Sequence, residues 1–167
     1  VPSGTGNDMA RGVGIPHDNT EAAIEALVTA LGRPPRVIDT GRIDYVDDET
    51  GEPATRWFAC VLSAGFDAVV NERANRMRRP RGPSRYTIAL VLELLGLSPI
   101  AYRLGLDGVE RDVKALLVTV GNNQSIGGGM KVTPDAVLDD GLFDVMVVTP
   151  LSRFNFIRIF PRVFEGT

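Results

Sequence analysis

The chain has one cysteine, one histidine and one tryptophan, and each scarcity excludes something. A lone Cys60 rules out an intramolecular disulfide, and its place in the apolar run Phe58-Ala59-Cys60-Val61-Leu62 predicts a buried thiol in a reducing compartment. A lone His17, set behind Pro16 in a connecting stretch, rules out a histidine-built metal centre. The isolated Ser, Cys and His residues offer no nucleophilic triad. Positive charge is not in excess either: 18 Lys and Arg face 21 Asp and Glu, a formal net charge of −3. Binding to a phosphate backbone needs clustered cations, so a dedicated nucleic-acid partner is excluded. No uninterrupted apolar run reaches the roughly 18 residues of a bilayer span. The longest candidate, Tyr86 to Leu97, is too short and carries Glu93.

What is present suits a folded, water-soluble body. The 167 residues are 44% hydrophobic and 23% charged, enough for one core, or for a small core with a piece of a second domain. Gly4 and Gly6 break regular structure at the start, and Asn7 or Asp8 is placed to cap a short helix at Met9-Ala10-Arg11. A longer helix is predicted over Glu21 to Leu31, capped by Thr20. Its apolar face is Ala23, Ile24, Leu27, Val28 and Leu31, and it ends at Gly32 and Pro34-Pro35. Beyond Arg36 the period falls to two. A hairpin is expected between Val37 to Tyr45 and Arg56 to Ala64, turning through Asp47-Asp48-Glu49-Thr50-Gly51. The composition shift sets a domain boundary between 1–35 and 36–167.

Further along, a helix is predicted for Phe66 to Met77 and another for Tyr86 to Leu95, separated by the arginine-rich stretch from Arg73 to Arg85, which is expected to be exposed. A second hairpin joins Ile100 to Leu106 with Asp112 to Val120 across Asp107-Gly108. A buried strand over Leu142 to Val148 and an amphipathic helix over Leu151 to Phe164 complete the set. That helix would turn Phe154, Ile157, Phe160, Val163 and Phe164 inward. The fold class that follows is α+β: helical material up to residue 35, then mainly antiparallel strands with peripheral helices.

Three segments carry polar chemistry. In Pro2-Ser3-Gly4-Thr5-Gly6-Asn7-Asp8, side-chain-free glycines let backbone N–H groups approach an anion, and Thr5 adds a hydroxyl donor; a glycine turn capped by Asn7 or Asp8 would look the same. The run Gly121-Asn122-Asn123-Gln124-Ser125, followed by Gly127-Gly128-Gly129, cannot pack as a strand. It must be held by hydrogen bonds or contact a polar ligand. The stretch from Pro134 to Val145 holds Asp135, Asp139, Asp140 and Asp144, which could solvate a turn or contribute to an all-oxygen site for Mg²⁺ or Ca²⁺. The spacing is not that of an EF-hand.

These segments, in this order, resemble the diacylglycerol kinase, sphingosine kinase and ceramide kinase family. The string Pro-Ser-Gly-Thr-Gly-Asn-Asp-Met-Ala-Arg at 2–11 resembles its second nucleotide loop. The blocks Ser63-Ala64-Gly65-Phe66-Asp67-Ala68, Gly121-Asn122 with Gly127-Gly128-Gly129, and Pro134-Asp135-Ala136 with Asp139-Asp140-Gly141-Leu142-Phe143-Asp144-Val145 follow. The resemblance implies ATP bound between an α/β domain and a β-sandwich, and phosphorylation of a lipid hydroxyl, diacylglycerol to phosphatidic acid being the favoured reaction. It implies that Gly4, Thr5, Gly6 and Asn7 touch nucleotide phosphates, while Asp8 holds the loop or a Mg²⁺-bound water. In the bacterial branch it implies a Mg²⁺ site made by Asp140 and the main-chain carbonyls of Val137 and Leu142. The expected partner is a lipid substrate met at a membrane surface by a cytoplasmic, peripheral enzyme, with a homodimer left open. The family's Gly-Gly-Asp-Gly-Thr loop is expected upstream of Val1 and its Asp-Gly-Glu segment, with the general base, beyond Thr167, so no catalytic residue is assigned and this stretch alone is expected to be inactive. A non-catalytic nucleotide- or lipid-binding module and an enzyme related to NAD kinase are the alternatives; the Gly-Thr-Gly-Asn-Asp string disfavours the second.

Overall fold

The computed structural model describes residues 1–4, 6–77, 88–89, 92–93, 96, 98–159, 162 and 166. Its elements are α1 (Asp8–Gly12), α2 (Thr20–Leu31), β1 (Gly41–Val46), β2 (Pro53–Phe58), β3 (Val61–Gly65), α3 (Phe66–Arg76), β4 (Ile100–Leu106), β5 (Val109–Ala115), β6 (Leu117–Gly121), β7 (Ser125–Ile126), β8 (Met130–Lys131), β9 (Asp144–Val148) and α4 (Arg153–Ile159). The class is α+β, with antiparallel pairs β1–β2, β4–β5 and β7–β8. A three-stranded sheet has the order β3-β6-β9. β6 is central there and reads Leu-Val-Thr-Val-Gly, mostly buried, as a strand covered on both faces should.

Two compact units emerge. One gathers Val1–Leu62, Val120–Asp144 and Arg162–Thr167; the other gathers Ser63–Thr119 and Val145–Pro161. The first unit buries Ala23, Val132, Ala136 and Leu138 with the polar side chains of Asn122, Asn123, Ser125 and Thr133. The second buries Ala115, Leu116, Val118 and Thr119, and a cluster of Val70 and Ala89 against Phe66 and Met77. α3 thus packs through its apolar stripe, while its Arg73 pairs with Glu93 and its Arg76 with Glu72. The other arginines of the basic stretch, at 78, 79, 81 and 85, lie outside the described residues, as does most of the helix expected over Tyr86 to Leu95.

Several boundaries differ from the sequence expectation for local reasons. α2 is capped by Asn19, not Thr20: Asn19 sits in the extended region and its side chain accepts the Ala22 N–H at 3.1 Å. The first hairpin begins at Gly41, because Asp39 donates its N–H to Leu138 O at 2.7 Å instead of joining a ladder with β2. Its return segment is two strands rather than one, β2 and β3, broken at Ala59-Cys60, where Cys60 O accepts from both Asn122 N and Asn123 N. In the second hairpin Asp107 and Gly108 both take positive φ, 50° and 80°, a turn that matches strand twist, and the return strand β5 starts at once at Val109. What was expected as one strand to Val120 is β5 and β6, in different sheets. α4 exposes Phe154 at 76%, contrary to the inward position expected for it, while Phe160, Val163, Phe164 and the Ile157 side chain lie outside the described residues. On α2 only Ala23 is buried, and Ile24, Leu27, Val28 and Leu31 stay exposed.

Candidate functional site

The opening glycine turn is shaped by Asn7, which adopts left-handed φ of 53° and precedes α1 without capping it through its side chain. Instead its Nδ2 donates to Gly4 O at 2.9 Å and to His17 O at 3.4 Å, closing the turn on itself. An asparagine tolerates that backbone better than most residues, which answers why it stands there. Arg11, one turn along α1, reaches back to Gly6 O at 3.4 Å. Thr5 lies outside the described residues.

Asp8 is the hub. Its carboxylate accepts Gly128 N at 2.8 Å on Oδ2 and Gly129 N at 2.8 Å on Oδ1. The glycine run therefore makes a two-donor cradle for an internal anion. Gly127, Gly128 and Gly129 have φ of 65°, 94° and 105°, and only side-chain-free residues can string such angles together cheaply. The opening turn and the loop after β6 are one assembly, although they are far apart in the chain.

The amide-rich run after β6 is held by hydrogen bonds. Asn122 gives Nδ2 to Asp39 O at 2.8 Å and Ala59 O at 3.1 Å, and Thr133 closes the loop by donating Oγ1 to Asn123 O at 2.7 Å. Gly121 lies so close to Thr133 that a Cβ there would sit 2.1 Å from its Oγ1. Cys60 belongs to the same cluster. Burial pushes its thiol pKa up and the Asp8 charge pushes it further, against a smaller downward pull from an Asn123 hydrogen bond, so the thiol stays protonated near neutrality.

Around the acidic turn, Asp140 Oδ1 accepts Leu142 N at 3.0 Å, and Asp39 Oδ2 accepts Gly141 N at 2.7 Å. Val137, Asp140 and Leu142 lie in one exposed loop, offering one carboxylate and two main-chain carbonyls, a donor set suited to a hard divalent cation. No group of three or more His, Cys, Asp or Glu side chains among the described residues could hold a metal. Arg36 pairs with Asp139 at 2.9 Å; the shared hydrogen bond holds the Asp139 carboxyl below its ordinary range and lifts the guanidinium. A cleft of about 670 Å³ opens beside these elements, lined among others by Arg11, His17, Arg36, Asn123, Gln124 and Lys131. Asp39 and Asn123 were not singled out individually by the sequence: an aspartate in a β-like stretch and one amide among several carry no distinguishing pattern.

Residues 60–167 match the family model described as the YegS C-terminal NAD kinase beta sandwich-like domain. The chain belongs to that family. The matched residues hold three of the four sequence blocks, those from Ser63 onward, and bear out the resemblance they carry. Among curated proteins, a diacylglycerol kinase of Mycobacterium tuberculosis is 44% identical over 167 residues, covering 99% of this chain and 52% of its own length. A probable lipid kinase YegS-like of Chromohalobacter salexigens is 34% identical over 149 residues, covering 89% of this chain and 43% of its own length. The chain spans about half the length of the curated relatives it matches. In fold, it superposes on a putative diacylglycerol kinase from Bacillus anthracis str. Sterne with a TM-score of 0.63 at 24% identity, over 100% of this chain and 51% of that one. Among the described residues, no helix is long and apolar enough to cross a membrane.

Proposed function

We propose that the YegS-type domain serves an ATP-dependent lipid kinase that phosphorylates diacylglycerol to phosphatidic acid. The observation that carries the reading is the 44% identity, across nearly the whole chain, to a protein named diacylglycerol kinase. On this reading residues 1–35 close a nucleotide-binding domain and 36–167 form the sandwich. Gly4, Thr5, Gly6 and Asn7 offer main-chain and hydroxyl donors to the nucleotide phosphates, which is where charge must be met during phosphoryl transfer. Of the two roles open to Asp8, the hydrogen bonds from Gly128 and Gly129 support holding the loop. Val137 O, Asp140 and Leu142 O would hold Mg²⁺, which would neutralise nearby negative charge and stiffen the acidic turn. The acceptor lies in a bilayer, so a cytoplasmic enzyme must dock peripherally. The two described arginines of the basic stretch already face Glu93 and Glu72, which weakens them as headgroup contacts.

The test is a radiolabelled-ATP assay of the full-length protein on mixed micelles of diacylglycerol, ceramide or sphingosine, and in parallel on NAD. Label in phosphatidic acid is the expected result. Label transferred instead to NAD would move the assignment to the NAD kinase alternative, and absence of transfer to any acceptor would leave a non-catalytic binding module.

A further inference from the structure

The loop from Gly121 to Gly129 buries more amide than a surface loop requires. Asn122 and Asn123 are 0% and 1% exposed. Burying a primary amide is unfavourable unless its polar atoms find partners, so the partners of each show what it is for. Asn122 spends its donors on Asp39 O and Ala59 O, stapling the chain on either side of the first hairpin. Asn123 does something else: its Nδ2 donates at 2.9 Å to the main-chain carbonyl of Asp8, and at 3.4 Å to Ser125 O.

Asp8 is therefore gripped at both ends by one loop, its carboxylate by Gly128 and Gly129 and its carbonyl by Asn123. Asn123 has no room to retreat. A Cβ added to Gly12 would lie 2.1 Å from Asn123 Oδ1, so the side chain fills the space against α1. Its own backbone is fixed by Asn123 N to Cys60 O at 3.1 Å and by Thr133 Oγ1 to Asn123 O at 2.7 Å.

We propose that Asn123 is the positioning residue of the Asp8 turn: it orients Gly6, Asn7 and Asp8, and hence the donors they present to a nucleotide, by holding the Asp8 carbonyl from behind. The nucleotide part of this rests on the function proposed above; the positioning part rests on the hydrogen bonds alone. Asn123 acts through Asp8 rather than on the ligand. Without its amide the turn is held by the glycine contacts alone, and these open more often.

The experiment is site-resolved amide hydrogen exchange on the full-length protein, with N123A and N123L, followed by ATP titration of each. N123L keeps the branched shape while carrying neither a donor nor a charge, so a residue that only fills space would leave N123L near wild type. Positioning predicts Gly128 and Gly129 amides exchanging about fivefold to tenfold faster in both variants, the loss expected for one buried hydrogen bond. Thr119 in β6 should be unchanged. ATP affinity should weaken by a similar factor. Wild-type exchange at Gly128 and Gly129 in N123L overturns the proposal, as does faster exchange with undiminished ATP affinity. Should N123A fail to fold, N123L carries the test. If the wild-type protein does not bind ATP at all, the nucleotide reading fails, and the exchange comparison still decides whether Asn123 positions the turn.

Discussion

Replacing Asp8 tests the two-loop assembly most directly. Asp8→Ala removes two hydrogen bonds of 2.8 Å that end on a carboxylate, and it strips Gly128 and Gly129 of their acceptor at once. A hydrogen bond to a charged group contributes about 1.5–3 kcal/mol, but Asp8 is only half-buried and water can replace part of the loss, so about 2–3 kcal/mol in total is expected. For a cooperative unit of this size that corresponds to a fall in Tm of roughly 4–12 °C. Asp8→Asn sharpens the argument. It keeps one acceptor but turns an NH₂ toward the other glycine N–H, so it should forfeit at least half of the alanine loss despite its near-identical shape. Thermal denaturation of full-length wild type and both variants, with ATP turnover measured on the same samples, checks this. Turnover should collapse while far-UV dichroism at room temperature stays native. An Asp8→Asn protein with wild-type Tm and wild-type turnover would show that the carboxylate neither ties the loops nor serves the site.

Gly65 takes φ of 122°, and a Cβ there would sit 2.5 Å from Leu116 O, so Gly65→Ala should cost about 3 kcal/mol or more, read by urea denaturation. Gly12→Ala drives a Cβ into Asn123 Oδ1 and should cost about 1–3 kcal/mol in the same measurement. The Asp139 carboxyl is held below its ordinary range by Arg36, so its contribution is present above the unfolded aspartate pKa and lost as pH falls through the lower folded value. Arg36→Ala should therefore lower the neutral plateau of a Tm-against-pH profile slightly, the pair being exposed, and leave the acid end, where the contribution is already lost, unchanged. Trp57, the sole tryptophan of this chain, is 67% exposed, so its emission should be solvent-like and readily quenched by acrylamide.

Much of this architecture was legible because local chemistry and tertiary role agree. The Asp107-Gly108 turn and the helix opening at Phe66 each follow from residues that have few other uses, whereas the buried strand expected over Leu142 to Val148 is β9, Asp144–Val148, none of whose residues is fully buried. Legibility failed where a distant partner outcompeted the local pattern. The alternation through Val37 to Tyr45 promises one strand, yet Leu138 O takes the Asp39 N–H and delays the ladder. The apolar stripe on α2 was read correctly as a stripe, but periodicity states which residues share a face, not whether that face is covered. In the site the sequence supplied the blocks without their pairing. Nothing in Gly-Thr-Gly-Asn-Asp indicates that its aspartate is spent on the glycines of another loop.

That pairing supplies a physical reason for blocks so far apart to occur together. A run of glycines with positive φ presents N–H groups that would be poorly satisfied on their own, and an aspartate after a left-handed asparagine is well placed to meet them. Each segment removes the other's unsatisfied groups, so losing either leaves its counterpart costly. The acidic turn is tied in by the same logic, since Asp39 joins it through Gly141 N and Leu138 O while its own carbonyl takes the Asn122 amide. The Ser63 to Ala68 block is fixed separately, where Gly65 fits beneath Leu116 O and Phe66 N donates to that same oxygen at 2.9 Å. Asp8→Ala combined with N123L should therefore cost less than the two single losses added together, because both changes release the same turn.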